Sequence, residues 1–212
     1  MALNINGTTG ISGVDGSVSA PALTGTDSNT GITFPAADTI KFSTGGVERM
    51  SITNSGVSGT GIGAGIVLQE INATVGSQVE VTSSTYTDTG LSASITTTGS
   101  NKVLIFVAQS LEARQYNATG FAVCGLRLVR TTSGSDSILY YGNRACVTSG
   151  EGSGSWFVAS GCIASIVQED SPSAGTHTYK TVVNRSVGGS GTAARANSDG
   201  TASRMILMEV AV

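Results

Sequence analysis

The stretch Val103-Leu104-Ile105-Phe106-Val107-Ala108 decides the fold. It reads as a strand with apolar side chains on both faces, since successive residues of a strand point to opposite sides. Met205-Ile206-Leu207-Met208, followed by Val210 and Val212, has the same character at the other end of the chain. In a two-layer sandwich one face of each sheet ordinarily meets water. An outward apolar face therefore predicts a second buried surface, a subunit interface to which Met205 and Leu207 are assigned, with a central strand covered by a loop as the alternative.

Outward from these two runs the pattern is regular. Strands are predicted over residues 66–71, 77–82, 91–97, 102–112, 122–130, 137–145, 155–168, 178–187 and 204–212. Turn-forming clusters fall at 131–136, 149–154, 170–175 and 188–200. No window carries a sustained 3.6-residue apolar period. Short strands with turn signals at this spacing point to a sandwich or barrel, and their number suits a jelly roll. The expected fold is all-β: an extended N-terminal β-arm, residues 1–65, followed by a jelly-roll-like β-sandwich, residues 66–212.

The arm is glycine-rich and poor in bulky side chains. Its apolar residues come as dyads at strand spacing: Ile32 with Phe34, Ile40 with Phe42, Met50 with Ile52. Pro35-Ala36-Ala37-Asp38 and Thr44-Gly45-Gly46 separate them as turns. So small an apolar complement cannot close a core alone. These six residues are expected to contact copies of the chain or a larger surface. The boundary run Gly59-Thr60-Gly61-Ile62-Gly63-Ala64-Gly65 lacks the spacing, helix and lysine of a phosphate-binding loop. It reads as a linker.

Composition narrows the function classes. Only 12% of the 212 residues are charged, the net charge is −3, and Gly, Ser and Thr fill 85 positions. The charge gives no electrostatic case for nucleic acid or an anionic bilayer, and no apolar run reaches membrane-span length. No basic, apolar leader precedes the arm, so synthesis and assembly in a cytoplasm are expected. Cys124, Cys146 and Cys162 lack metal-ligand spacing and read as buried thiols.

Little in the chain suggests catalysis. The single histidine, His177, reads as a turn-edge residue, and no nucleophile elbow accompanies it. Glu169-Asp170 before Pro172 reads as a solvated turn. No enzyme activity, cofactor or metal is expected. Tyr140, Tyr141 and Trp156 are the candidates for stacking on a glycan, with strand core as the commoner use of such aromatics. Tyr140 and Tyr141 point to opposite faces. So do Arg127 and Arg130, one of which should face outward or pair with a carboxylate across the sheet.

Two parts of the chain resemble structural proteins of tailed bacteriophages, notably cyanophages. One runs from Thr30-Gly31-Ile32-Thr33-Phe34 through Asp38-Thr39-Ile40-Lys41-Phe42 to Met50-Ser51-Ile52. The other is the approach Pro172-x2-Gly175-x-His177-x-Tyr179 together with the last strand, Ser203-Arg204-Met205-Ile206-Leu207-Met208-Glu209-Val210. The resemblance implies a virion structural protein, a homotrimer with an N-terminal attachment region and a C-terminal sandwich knob. Its partners would be copies of itself and the major capsid or tail proteins of the same virion, with no nucleic acid and no membrane. Long shaft repeats and a self-cleaving chaperone domain are missing from the pattern. A trimeric capsid decoration (cement) or short accessory fibre protein therefore fits better than a long fibre. The alternative is a tail-fibre tip that binds a host surface glycan.

Overall fold

The structure, a computed structural model, describes residues 4–6, 10–12, 15–54, 56–59, 66–116, 120–150 and 157–212. The chain divides into two compact units, residues 1–66 and 67–212. Strands dominate both, and among the described residues the only helical turn is the 3-10 segment Ser198–Gly200. Of the expected linker, residues 59–65, Gly59 is described and 60–65 lie outside the described part.

In the first unit β1 (Asn4–Asn6) pairs with β2 (Gly10–Ser12), and β3 (Gly16–Ser17) with β4 (Ala20–Pro21). A five-stranded antiparallel meander follows: β5 (Leu23–Thr24), β6 (Gly31–Ala36), β7 (Thr39–Thr44), β8 (Val47–Thr53) and β9 (Gly56–Ser58). Gly45 and Gly46, with φ of 60° and 74°, form the two-residue turn between β7 and β8. Two consecutive left-handed residues match the twist of a hairpin, and glycine adopts them without steric cost.

The second unit contains β10 (Val67–Val75), β11 (Val79–Val81), β12 (Thr87–Thr97), β13 (Lys102–Tyr116), β14 (Gly120–Thr132), β15 (Ser135–Gly150), β16 (Phe157–Asp170), β17 (Gly175–Val187), β18 (Thr192–Ala196) and β19 (Ser203–Val210). One sheet runs β10-β19-β13-β16, with β18 and β11 extending it beside the far half of β13. The other runs β12-β17-β14-β15. Counting only the long strands in chain order, the sheets read 1-8-3-6 and 2-7-4-5. This interleaving of two Greek keys is the jelly-roll arrangement.

Alternation fixes which side chains enter the core. Along β12, Leu91, Ala93, Ile95 and Thr97 are buried, while Ser92, Ser94 and Thr96 are exposed. Leu91, Ile95, Ile105, Leu126, Leu128, Tyr179, Met205 and Leu207 are almost wholly buried between the sheets. This corrects the assignment of Met205 and Leu207 to a subunit interface. Both point inward from β19 and are sealed within one chain, whereas Ile206 and Met208 take the outer face.

Strand β18 is absent from the expectation, which placed 188–200 in a turn. Residues Thr192–Ala196 pair with β13 at Leu111–Gln115, while β19 pairs with its first half, Lys102–Ala108. Between the two partners the chain makes an excursion through Asn197 and the 3-10 turn. Asn197 adopts φ 56°, a left-handed conformation that asparagine tolerates better than most residues. The excursion would orphan the backbone of Ser110. Its N–H instead donates to Ser203 Oγ at 2.9 Å, and its carbonyl accepts Asn197 N–H at 3.0 Å.

Candidate functional site

Three surfaces carry the side chains singled out in the sequence. The first lies on the N-terminal meander. Cross-strand pairing puts Ile32, Phe42 and Met50 in one row, and Ile40 beside Ile52. Phe34, Ile40 and Ile52 line a shallow recess of about 380 Å³ with Thr39 and Asn54 at its margins. All six dyad residues thus share one face. Phe34, Ile40 and Ile52 are exposed, and the other three are half-buried. Thr33 and Ser51, which alternate with them, are buried on the opposite side. The unit buries small hydroxyl residues and leaves its largest apolar side chains exposed or half-buried.

The second surface is the outer face of the β10-β19-β13-β16 sheet. Ile206, Phe106 and Val167 form a cross-strand row, with Met208 and Leu104 in the next. Val167 is 71% exposed and Ile163, further along β16, 55%. Phe106, Ala108, Val167 and Ile206 border an almost wholly apolar recess of about 320 Å³. The double-sided hydrophobicity of 103–108 and 205–208 is therefore real, and its outward half belongs to Leu104, Phe106, Ile206 and Met208.

The third surface is the outer face of the β12-β17-β14-β15 sheet, where hydroxyl and charged residues mix with Val129, Ile138 and Val182. Ser94 and Thr178 share a hydrogen bond of 2.8 Å, as do Thr96 and Thr176. Arg127 projects here between two tyrosines, its guanidinium carbon 3.8 Å from the ring centre of Tyr86 and 4.9 Å from that of Tyr141. Cation–π attraction holds such a stack. Gly125 makes room for Asn184 and Tyr86, because a Cβ there would collide first with Asn184 Oδ1 and would stand 2.8 Å from the tyrosine oxygen. Tyr86, Asp88, Arg127, Asp136 and Lys180 line one recess of about 320 Å³. Lys180 pairs with Asp136 at 3.0 Å, and Thr131 donates to the same carboxylate at 2.5 Å. The Thr131 hydroxyl first, then Lys180, holds the Asp136 carboxyl below its usual range.

Of the glycan candidates, Tyr141 joins this face and is 59% exposed. Tyr140 alternates away from it and keeps 38% exposure because β15 is an edge strand. Trp156 lies outside the described residues. Tyr86 was missed, because it sits in a Ser/Thr-rich stretch and only the tertiary fold brings it to Arg127.

The groups considered for catalysis have structural partners. His177 is buried in β17 and not at a turn edge. Its Nε2–H donates to the Ser173 carbonyl at 2.8 Å, and Nδ1 accepts the Thr132 hydroxyl at 2.7 Å. Asp170 is not a solvated turn residue. It ends β16, accepts two contacts from Arg130 Nη1 at 2.8 and 2.7 Å, and accepts the Tyr179 hydroxyl at 2.8 Å. Arg130 therefore points inward and Arg127 outward. Cys124 and Cys146 are buried and Cys162 half-buried; each thiol donates to a backbone carbonyl. Burial, and then neighbouring Cys146, push the Cys124 thiol up to about 12. Among the described residues no group of three or more His, Cys, Asp or Glu is placed to hold a metal.

No protein-family model matches the chain, and no curated protein sequence matches it. Among solved structures it is similar to a chain in the structure of the infectious bursal disease virus Gx strain. The identity is 12% and the TM-score 0.28, over 69% of this chain and 38% of that one. An overlap this loose identifies no fold family.

Proposed function

We propose that the chain is a non-enzymatic structural protein of a tailed-phage virion, a capsid decoration or short accessory fibre protein that assembles as a trimer. The observation that carries this reading is the uncovered apolar face of the N-terminal meander. Six apolar side chains, three exposed and three half-buried, sit on one side of a sheet, and the buried residues on its other side among those described are Thr33, Ser43 and Ser51, an arrangement that calls for a partner surface. Residues 30–52, which form most of that face, are also the segment that resembles phage structural proteins.

The knob contributes the second contact. The row Ile206–Phe106–Val167 supplies an apolar strip on a sheet face that would ordinarily be wet. Copies of the chain meet through this strip, and the low overall charge leaves little repulsion to oppose them. Three joined arms then bind a particle with more avidity than one, since the second and third contacts are intramolecular. Bridging several capsid or tail subunits stabilises the particle by linkage. The host-contacting tip is the competing reading, and it needs no docking of the meander along the shell.

Light scattering on the isolated protein tests the assembly step. The expected mass is three chains, and Val167→Lys should reduce it to one while leaving the circular-dichroism spectrum unchanged. A single-chain mass for the unsubstituted protein at micromolar concentration overturns the trimer. Particle imaging then tests the location. Many copies on the shell support decoration, whereas a few at a tail tip overturn it.

A further inference from the structure

We infer that the recess around Arg127 is a binding site for a hexuronate unit of an acidic polysaccharide. Arg127 Nε is buried, and among the described residues none of the guanidinium N–H groups has a protein acceptor within hydrogen-bond reach. Arg130 and Arg185 also have a buried Nε without an acceptor, but their Nη1 groups are used, Arg130's by Asp170 and Arg185's by the Gly189 carbonyl. A planar guanidinium fixed between Tyr86 and Tyr141 cannot swing out to find water-exposed partners without losing both stacks. It is a fork held open toward the recess, and a forked guanidinium matches a carboxylate bidentately.

The other lining groups define the rest of the ligand. Lys180 adds positive charge, but Asp136 holds it at 3.0 Å. Asp88 lines the same recess, and its Oδ1 accepts Gly90 N–H at 2.8 Å. The two cations and two carboxylates balance, so a simple anion such as sulfate meets repulsion from Asp88 as well as attraction from Arg127. A ligand that presents a carboxylate at one end and hydroxyl donors at the other satisfies both. A hexuronate does this on one ring. Val129, Ile138 and Val182 complete the lining and offer an apolar wall for one side of the ring, while Tyr141, which is exposed, holds the guanidinium in place. The recess of about 320 Å³ stands at the small end of ligand pockets, which suits one sugar unit of a longer chain. The hydroxyl ladder Ser94–Thr178 and Thr96–Thr176 belongs to the same sheet face, where neighbouring units would lie.

Calorimetric titration of the full chain tests this inference, using trimers of galacturonate, glucuronate and mannuronate, the methyl ester of the tightest binder, and sodium sulfate. At least one uronate trimer should bind. Its ester, which keeps the hydroxyls and loses the charge, should bind at least about tenfold more weakly, and sulfate should not displace it beyond the effect of ionic strength. Arg127→Lys keeps the charge but removes the fork, and should also cost about tenfold or more. Tyr141→Ala, at an exposed position, gives a second loss without disturbing the core. The inference is overturned if no uronate trimer binds at about 10 mM, if the ester binds as tightly as the acid, or if Arg127→Lys leaves affinity unchanged. Any of these leaves the particle assignment intact, because that rests on the meander and on the opposite sheet.

Discussion

The side-chain amide of Gln109 donates to Asn197 Oδ1 at 2.9 Å in a part of the knob where neither residue has any exposure. The pair belongs to a closed polar network. Gln109 also donates to Ser203 Oγ at 2.8 Å and accepts the Thr181 hydroxyl at 2.8 Å, while Asn197 Nδ2 reaches the carbonyls of Ser77 and Thr89 at 2.9 Å. Because Thr181 lies on the opposite sheet, the network ties the two layers together at the point where β13 changes partners. Asn197→Ala should cost about 3 kcal/mol or more, combining buried groups left unpaired with the left-handed backbone. A fall of roughly 6–12 °C in melting temperature is expected, and a fall under 2 °C would show that the network is dispensable.

The network also marks where the sequence stops being legible. Leu91 to Thr97 announces its inward face by simple alternation, and the long strands could be read in that way. Residues 188–200 could not. Thr192-Ala193-Ala194-Arg195-Ala196 has low strand propensity and lies between glycines, so local rules call it a turn. It is a strand because β13 is longer than β19 and needs a second partner. Met205 and Leu207 show the same limit. In a run apolar on both faces, alternation says that two sets exist but not which set is inside.

The third surface was hidden for a related reason. Arg127, Tyr86 and Tyr141 are distant in sequence, and only the register Arg127↔Tyr141 and the gap left by Gly125 bring them together. Gly125→Ala should therefore displace Asn184 and Tyr86 and cost about 1–3 kcal/mol by overpacking. The measurement is a chemical denaturation midpoint, with the fluorescence of Tyr86 compared through a Tyr86→Phe control. No change in stability would mean that neither side chain rests on the glycine.

Arg130 and Asp170 join the two sheets from the other side, with Tyr179 as a second donor to the carboxylate. Removing one member of a partly buried pair leaves the other short of partners. Arg130→Ala should destabilise the knob by about 2–3 kcal/mol. Asp170→Asn should cost less, since the amide oxygen can still accept one bond. A double-mutant cycle in urea separates the pair from the effects of truncation. A coupling near zero would leave Arg130 as packing alone.

Alkaline stability follows from the thiols. Burial raises both Cys124 and Cys162 from 9.0 to about 12, the second also through the hydrogen bond with Cys146. Burial and then Asp170 push the Tyr179 hydroxyl well above its ordinary range. In each case the folded state holds the proton more tightly than the unfolded one. Stability from the thiols is therefore complete below pH 9 and is lost as the pH rises from 9 toward 12. Urea midpoints should be flat from pH 7 to 8.5 and fall above 9, less steeply in Cys124→Ala. Equal slopes for the two proteins would remove the buried thiol as the cause.

The meander gives the sharpest separation of folding from assembly. Phe34, Ile40 and Ile52 are the exposed members of this face, so a charge at one of them stays in reach of water in the unassembled chain. The knob draws its core from residues 71–207 of its own unit, and its melting should not respond. Ile40→Asp should thus leave the thermal transition of the knob within about 1 °C, as surface substitutions usually do. It should still reduce incorporation into particles by roughly tenfold or more, since a desolvated charge opposes burial of the whole face. Incorporation is read from the ratio of this protein to shell protein in purified particles. If Ile40→Asp assembles normally while Val167→Lys does not, attachment runs through the knob and the meander has another partner.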